Sequence, residues 1–161
     1  GRMMEKDTDD HPSIIIAPPL LLLICMGGGF LLDYLFPLKI IRWPWWPRII
    51  CSGILMVISA YFALGSMNIL LRNNTPFNPS KPTKTIVRRG PFRFSRNPMY
   101  LALLLFLAGV AIVNGSIWMS LAVVALLIVL DILAVRPEEE YLERNFGGQY
   151  LAYKAKVRRW L

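Results

Sequence analysis

Apolar residues in this chain gather into four blocks, at residues 14–36, 49–71, 98–113 and 116–135. A helix needs about 20 apolar residues to cross the hydrocarbon of a bilayer, so the pattern predicts membrane spans. The first block is broken only by Pro18-Pro19, the triplet Gly27-Gly28-Gly29 and Asp33, and the second holds no charge at all. The first also lacks the basic start and small-residue cleavage site of a signal peptide, so it reads as a span. The third block is short: at ~1.5 Å per residue it reaches roughly 24 Å of a ~30 Å core. Asn114-Gly115, a turn signal, separates it from the fourth block, which carries Asp131 near its end. The last two blocks therefore predict a tight helical hairpin, tilted or not fully crossing.

Residues 137–161 differ in kind. Glu138, Glu139 and Glu140 follow a proline, which suits the positive N-terminus of a helix. Tyr141, Leu142, Phe146, Tyr150, Leu151, Tyr153, Val157 and Trp160 then recur mostly every three or four residues. That spacing predicts an amphipathic helix broken at Gly147-Gly148. Such a segment can lie on the membrane surface, or fold back over the polar loop at residues 72–97. The whole chain, 1–161, reads as one all-α membrane domain of about four spans.

Composition sharpens this picture. Hydrophobic residues make up 55% and charged residues 17%, yet the net charge is +8. A disordered chain needs low hydrophobicity, and a soluble globule carries more charge, so both are disfavoured. With four spans, the N-terminal tail, the loop after the second span and the C-terminal tail share one side. That side holds fifteen basic residues, and the other holds only Lys39, Arg42 and Arg48. This bias predicts that both termini are cytoplasmic. Trp43, Trp45 and Trp46, interleaved with Pro44 and Pro47, fit an aromatic belt at the far interface.

The chemistry available is narrow. His11 is the single histidine, and Cys25 and Cys51 lie inside apolar runs, so neither a metal site nor histidine base chemistry is expected. No glycine-rich phosphate loop, catalytic triad or zinc-protease motif occurs. The loop 72–97 mixes Phe77, Phe92 and Phe94 with seven basic residues, a composition seen in nucleic-acid binders. It is short, proline-rich and tethered at both ends to spans, so nucleic acid is not the expected partner. A basic loop can also simply set topology and meet anionic lipid. Asp131 is harder to set aside, because carboxylates inside spans are costly and need partners. Arg136 lies five residues on, a separation that α-helical spacing does not by itself pair.

One stretch resembles a known family. Gly90-Pro-Phe-Arg-Phe-Ser-Arg-Asn-Pro-Met-Tyr100 is similar to the Gly-x-Tyr and Arg-His-Pro-x-Tyr signature of the isoprenylcysteine carboxyl methyltransferases. Their wider relatives include bacterial and archaeal membrane methyltransferases and the phospholipid methyltransferases. A second block follows in the right order: Arg136-x-Glu-Glu-Glu140, Phe146-Gly-x-x-Tyr150-x-x-Tyr153 and Val157-x-Arg. The resemblance covers about residues 75–161, and the first two spans carry no signature.

The resemblance implies a helical membrane bundle that binds S-adenosylmethionine without a nucleotide-binding domain. It carries the cofactor contacts onto Lys84, Thr85, Ile86, Val87, Phe92, Asn97, Pro98, Met99 and Tyr100, and the acceptor-carboxylate residues onto Arg136 and Glu140. Asn97 stands where eukaryotic members have His, so it hydrogen-bonds without carrying charge. Phe92 replaces a Tyr and its hydroxyl. The implied partners are a lipophilic, lipid or prenylated acceptor and the surrounding membrane lipids. Two other classes compete. A small four-span transporter would place an acid mid-bilayer in its first span, whereas Asp33 and Asp131 lie near span ends. A non-catalytic membrane protein would use the basic loop for anionic lipid alone.

Overall fold

A computed structural model of the protein describes residues 17–72 and 89–161, and 82% of these are helical, with no strand among them. Helix α1 spans Pro18–Leu35, α2 Trp45–Arg72, α3 Pro98–Asn114 and α4 Ile117–Leu130. Two shorter helices follow, α5 (Arg136–Phe146) and α6 (Gly148–Lys156). Helix α3 packs on α2 and α4, and α1 packs on α4. Three helices are long and apolar enough to cross a membrane, namely α1, α2 and the continuous Ile117–Phe146 run, and α3 is a shorter apolar helix of 17 residues. Outward-facing Leu23, Ile24, Ile54, Val57, Leu64 and Val124 are exposed, so the apolar surface points to the outside of the bundle. The molecule is an all-α membrane bundle.

Such a bundle gains little from the hydrophobic effect between helices, because lipid is as apolar as leucine. Close packing and interhelical hydrogen bonds hold it together instead. Ser52, Ser59 and Ser66 recur every seven residues on α2, and all three are buried. The Ser52 hydroxyl donates to the Gly109 carbonyl at 3.0 Å, and the Ser59 hydroxyl donates to the Ala102 carbonyl at 2.7 Å. Gly109 permits this approach, since a Cβ there would lie 2.9 Å from Met56 and 3.3 Å from the Ser52 oxygen. Leu107, Met119, Leu126, Leu130 and Ala134 fill the seam of α3 and α4 with no solvent exposure.

The end formed by the α3–α4 hairpin is closed. Gly115, at φ +73°, makes the left-handed turn that ends α3, and Ser116 caps α4 by accepting from the Trp118 amide at 3.1 Å. The Gly115 carbonyl accepts from the Ile40 and Ile41 amides, and the Ile117 amide donates to the Leu38 carbonyl. Arg48 donates to the Ile112 and Val113 carbonyls, a cation set against the negative end of α3. Lys39 pairs with Asp33 at 2.7 Å and also donates to Asn114. Trp43, Trp45 and Trp46 are exposed at this end, and α2 starts at Trp45, ahead of the apolar block that begins at 49.

The opposite end departs from the sequence pattern. The fourth apolar block ends at 135, but the helix does not stop there. A π turn, Asp131–Val135, joins α4 to α5 as one continuous run, with the Arg136 amide donating to the Asp131 carbonyl. Pro137 explains the turn. It has no N–H, and its ring clashes with the carbonyl four residues back in a regular α-helix. Widening the helix just ahead relieves that clash.

If the hydroxyl bonds bind α2 to α3, Ser59→Ala should lower stability by roughly 0.6–1.7 kcal/mol, the range for such bonds inside membranes. Unfolding by SDS titration from mixed micelles measures this, and an unchanged midpoint would remove Ser59 from the list of contacts that bind the two helices.

Candidate active site

The two sequence blocks at residues 90–100 and 136–158 meet at the open end. Residues 90–93 form a short 3₁₀ turn, and α3 begins at Pro98, which needs no amide partner at a helix start. After α6 the chain runs back along this loop. The Arg96 amide donates to the Arg158 carbonyl at 3.0 Å. The Arg159 carbonyl accepts from both the Ser95 hydroxyl at 3.0 Å and the Asn97 side-chain amide at 3.1 Å. The Tyr153 hydroxyl donates to the Phe92 carbonyl at 2.7 Å. Tyr100, on the first turn of α3, donates to the Glu138 carboxylate at 2.9 Å and so ties α3 to α5.

A chain of alternating charge runs beneath these contacts. Arg96 Nη1 lies 3.3 Å from Glu139 Oε1. Arg159 grips both oxygens of Glu139, with Nε at 3.1 Å and Nη2 at 2.8 Å. The third arm of Arg159, Nη1, reaches Asp131 Oδ1 at 3.1 Å. Asp131 Oδ2 in turn accepts from Arg136 Nε at 3.0 Å. The order is Arg96, Glu139, Arg159, Asp131, Arg136. Among its arginines exposure rises along the chain: the Arg96 side chain is 9% exposed, Arg159 33% and Arg136 60%.

The electrostatics follow from this packing. The two-point grip of Glu139 raises Arg159 further above its ordinary value, so it stays charged throughout. Burial first, and then the Glu139 carboxylate, push the Tyr150 hydroxyl up to about 12, so it remains a neutral phenol. Arg96 Nε is buried without a hydrogen-bond partner among the described residues.

Beside the charged chain, a groove of about 340 Å³ opens on the outer face of α4. Its lining is apolar at Leu127, Ile128, Ile132 and Trp160 and charged at Asp131 and Arg136. An apolar trough bordered by an exposed guanidinium can take an amphiphile with an anionic head.

Lys84, Thr85, Ile86 and Val87 lie outside the described residues. Of the other residues expected to hold cofactor, Asn97 and Tyr100 are buried and bonded to the C-terminal segment, Pro98 is buried, and Phe92 and Met99 are half-buried. Arg136 and Glu140 both stand exposed one turn apart on α5, with Arg136 at the groove. Sequence reasoning missed Arg96, Glu138, Glu139 and Arg159 as site residues. For Glu138 a signal existed: Leu126, Leu130, Ala134 and Glu138 step by four along the core-facing side of the helix. Among the described residues no group of His, Cys, Asp or Glu is arranged to hold a metal ion.

Comparison with known proteins decides the family. The phospholipid methyltransferase family model matches residues 47–149, well over half of the chain. The chain belongs to the phospholipid methyltransferase family. It is therefore a membrane methyltransferase, and the match reaches back into α2, which carries none of the signature residues. An uncharacterized protein of Haemophilus influenzae is 43% identical over 63 residues, which is all of that protein and 39% of this chain. The family match ends at residue 149, and Arg159 of the clasp belongs to the Val157-x-Arg element of the resemblance.

Glu139 is 5% exposed and serves two arginines, so Glu139→Ala should cost about 3–5 kcal/mol, as breaking a buried pair does. Exposed Glu140→Ala should fall within about 0.5 kcal/mol of the parent. Thermal unfolding in detergent compares the two, and equal shifts would contradict the buried role of Glu139.

Proposed function

We propose that this methyltransferase moves a methyl group from S-adenosylmethionine to the carboxylate of a lipophilic, membrane-resident acceptor. The observation that carries the reading is the juxtaposition at the open end. The Phe92–Tyr100 loop, which the resemblance assigns to cofactor, packs on the tail that closes the Arg136 groove. A soluble cofactor and a greasy acceptor meet only at a membrane boundary. The fifteen-to-three distribution of basic residues supports the cytosolic boundary, with both termini on that side.

The residues present suit the cofactor. Arg96, next to Asn97, carries a buried Nε with no hydrogen-bond partner among the described residues, a donor suited to a carboxylate. Asn97, Pro98, Met99, Tyr100 and Phe92 would complete the pocket with Lys84, Thr85, Ile86 and Val87. When bound, S-adenosylmethionine supplies an electrophilic methyl on a sulfonium. The protein's own work is positioning, which contributes roughly 7–11 kcal/mol to reactions between well-oriented partners. Arg136 holds the acceptor carboxylate through its planar fork. Glu140, one turn along, orients that fork or balances positive charge nearby. Leu127, Ile128 and Ile132 take the hydrocarbon chain and keep water away from the reacting groups.

A second reading is favoured by the family itself, whose name points to phospholipid head groups. There Arg136 would hold the phosphate, and a head-group amine would be methylated. Supplying tritiated-methyl S-adenosylmethionine to the protein in phosphatidylethanolamine vesicles, with and without N-acetyl-S-farnesylcysteine, separates the two. Methyl esters release volatile label in base, whereas methylated amines retain it. The carboxylate reading expects base-labile label that depends on the farnesylated acid; stable label on the phospholipid would replace it with the second reading.

S-adenosylhomocysteine at 100 times its dissociation constant should stabilise the protein by about 2.7 kcal/mol. An unmoved thermal transition at saturating ligand would oppose any cofactor site here. Arg136→Lys should lower turnover severalfold and leave S-adenosylhomocysteine affinity within twofold, since Lys keeps the charge but loses the fork. Glu140→Gln should also slow turnover. Parent-like rates in both variants would reduce these residues to a helix-start charge pattern.

A further inference from the structure

The charged chain at the open end holds three guanidinium groups and two carboxylates, in strict alternation with a cation at each end. Its ends are unlike. Arg96 is enclosed, whereas Arg136 is the open terminus and borders the groove. Only Nε of Arg136 is bonded among the described residues, which leaves its two terminal amino groups for a ligand.

The state of Asp131 decides what Arg136 can do. If Asp131 served Arg136 alone, the two would form a neutral pair with little attraction for an anion. Asp131 instead divides its oxygens, Oδ1 to Arg159 and Oδ2 to Arg136. Arg159 can reach Asp131 because its Nε and Nη2 are fixed on Glu139, and because its carbonyl is held by Ser95 and Asn97. The π turn makes the other half possible. Residues five apart stand well round the axis of an α-helix, and the wider turn brings Asp131 under Arg136. The surplus positive charge of the chain thus falls at its exposed end, facing the groove.

We infer that Arg159 is a positioning residue for acceptor binding: by sharing Asp131 with Arg136, it leaves Arg136 a net cation, aimed along the groove at the anionic head of the acceptor. This rests on the reading of Arg136 as the acceptor-binding residue. It adds that Arg159, on the tail that returns after α6, sets the preference for an anion.

The test uses a probe and its neutral twin, N-acetyl-S-farnesylcysteine and the methyl ester of the same compound. Dissociation constants for both are measured by isothermal titration on the 161-residue protein in detergent. The parent should bind the acid at least tenfold more tightly than the ester. Arg159→Gln should bring that ratio close to one, as Arg136→Gln does, and the double variant should go no further. A merely structural role for Arg159 would weaken acid and ester equally and leave the ratio at the parent value, which overturns the inference. If Arg159→Gln does not fold, Arg159→Lys serves in its place. It keeps the charge without the three-armed reach, and the inference expects a ratio between those of the parent and Arg136→Gln; a parent-like ratio overturns it. A ratio kept in the Arg159 variants but lost in Arg136→Gln overturns only the inference. A ratio kept in Arg136→Gln, or absent from the parent, overturns the acceptor reading with it.

Discussion

A carboxylate sealed inside a membrane protein must be paired, and the architecture of the open end follows from how Glu139 meets that demand. It sits on the inner side of α5, almost without solvent. Two arginines from opposite directions of the chain converge on it, Arg96 from the loop before α3 and Arg159 from the tail after α6. Removing a charge from water costs several kcal/mol, and only close, multiple bonds offset this. The tail is therefore drawn back across the loop. Once there, its backbone orders Ser95 and Asn97, and Trp160 comes to close the groove. One electrostatic requirement thereby joins the loop assigned to cofactor to the groove assigned to acceptor.

The two ends of the bundle are held by different means, and the difference suits a membrane enzyme. The closed end is a web of backbone bonds around Gly115, tightened by Arg48 and Lys39, and it leaves α3 and α4 no freedom to part. Along the spans, serine hydroxyls and small residues bring α2 against α3 without needing an apolar driving force. The open end relies on side-chain ion pairs instead. Such contacts are directional and couple to charge, so the arrangement of this end is sensitive to which charged groups occupy it.

Much of this was legible in the residue pattern. Apolar blocks marked the apolar helices, three of them long enough to cross a membrane, and the Asn114-Gly115 pair marked the hairpin tip, where Gly115 does take a left-handed conformation. What the pattern hid was the continuity of α4 with α5. Pro137 reads as a helix start, and it does open α5, but a π turn carries the helix past it instead of a break. The same turn settles the pairing of Asp131 with Arg136, which α-helical spacing left open. The inward aim of Glu138 and Glu139 was missed for a related reason. Three consecutive glutamates look like a solvated helix start; the four-residue steps from Leu126 point to Glu138 alone, and the packing of Tyr100 and Arg159 shows both Glu138 and Glu139 facing in. Arg96 and Arg159 were hidden among the basic residues that set topology. Arg159 pairs with Glu139 and Asp131, 20 and 28 residues away, and Arg96 pairs with Glu139 from before α3, separations that no local spacing encodes.

The central claim is that the loop and the returning tail form one ligand site at the open end. Hydrogen exchange with and without saturating S-adenosylhomocysteine tests it most directly, because it reads both segments at once and needs no acceptor. The account predicts slowed exchange together in residues 92–97 and 150–160, with none at residues 36–43 of the closed end. Protection confined to the closed end, or found in neither segment, would contradict it.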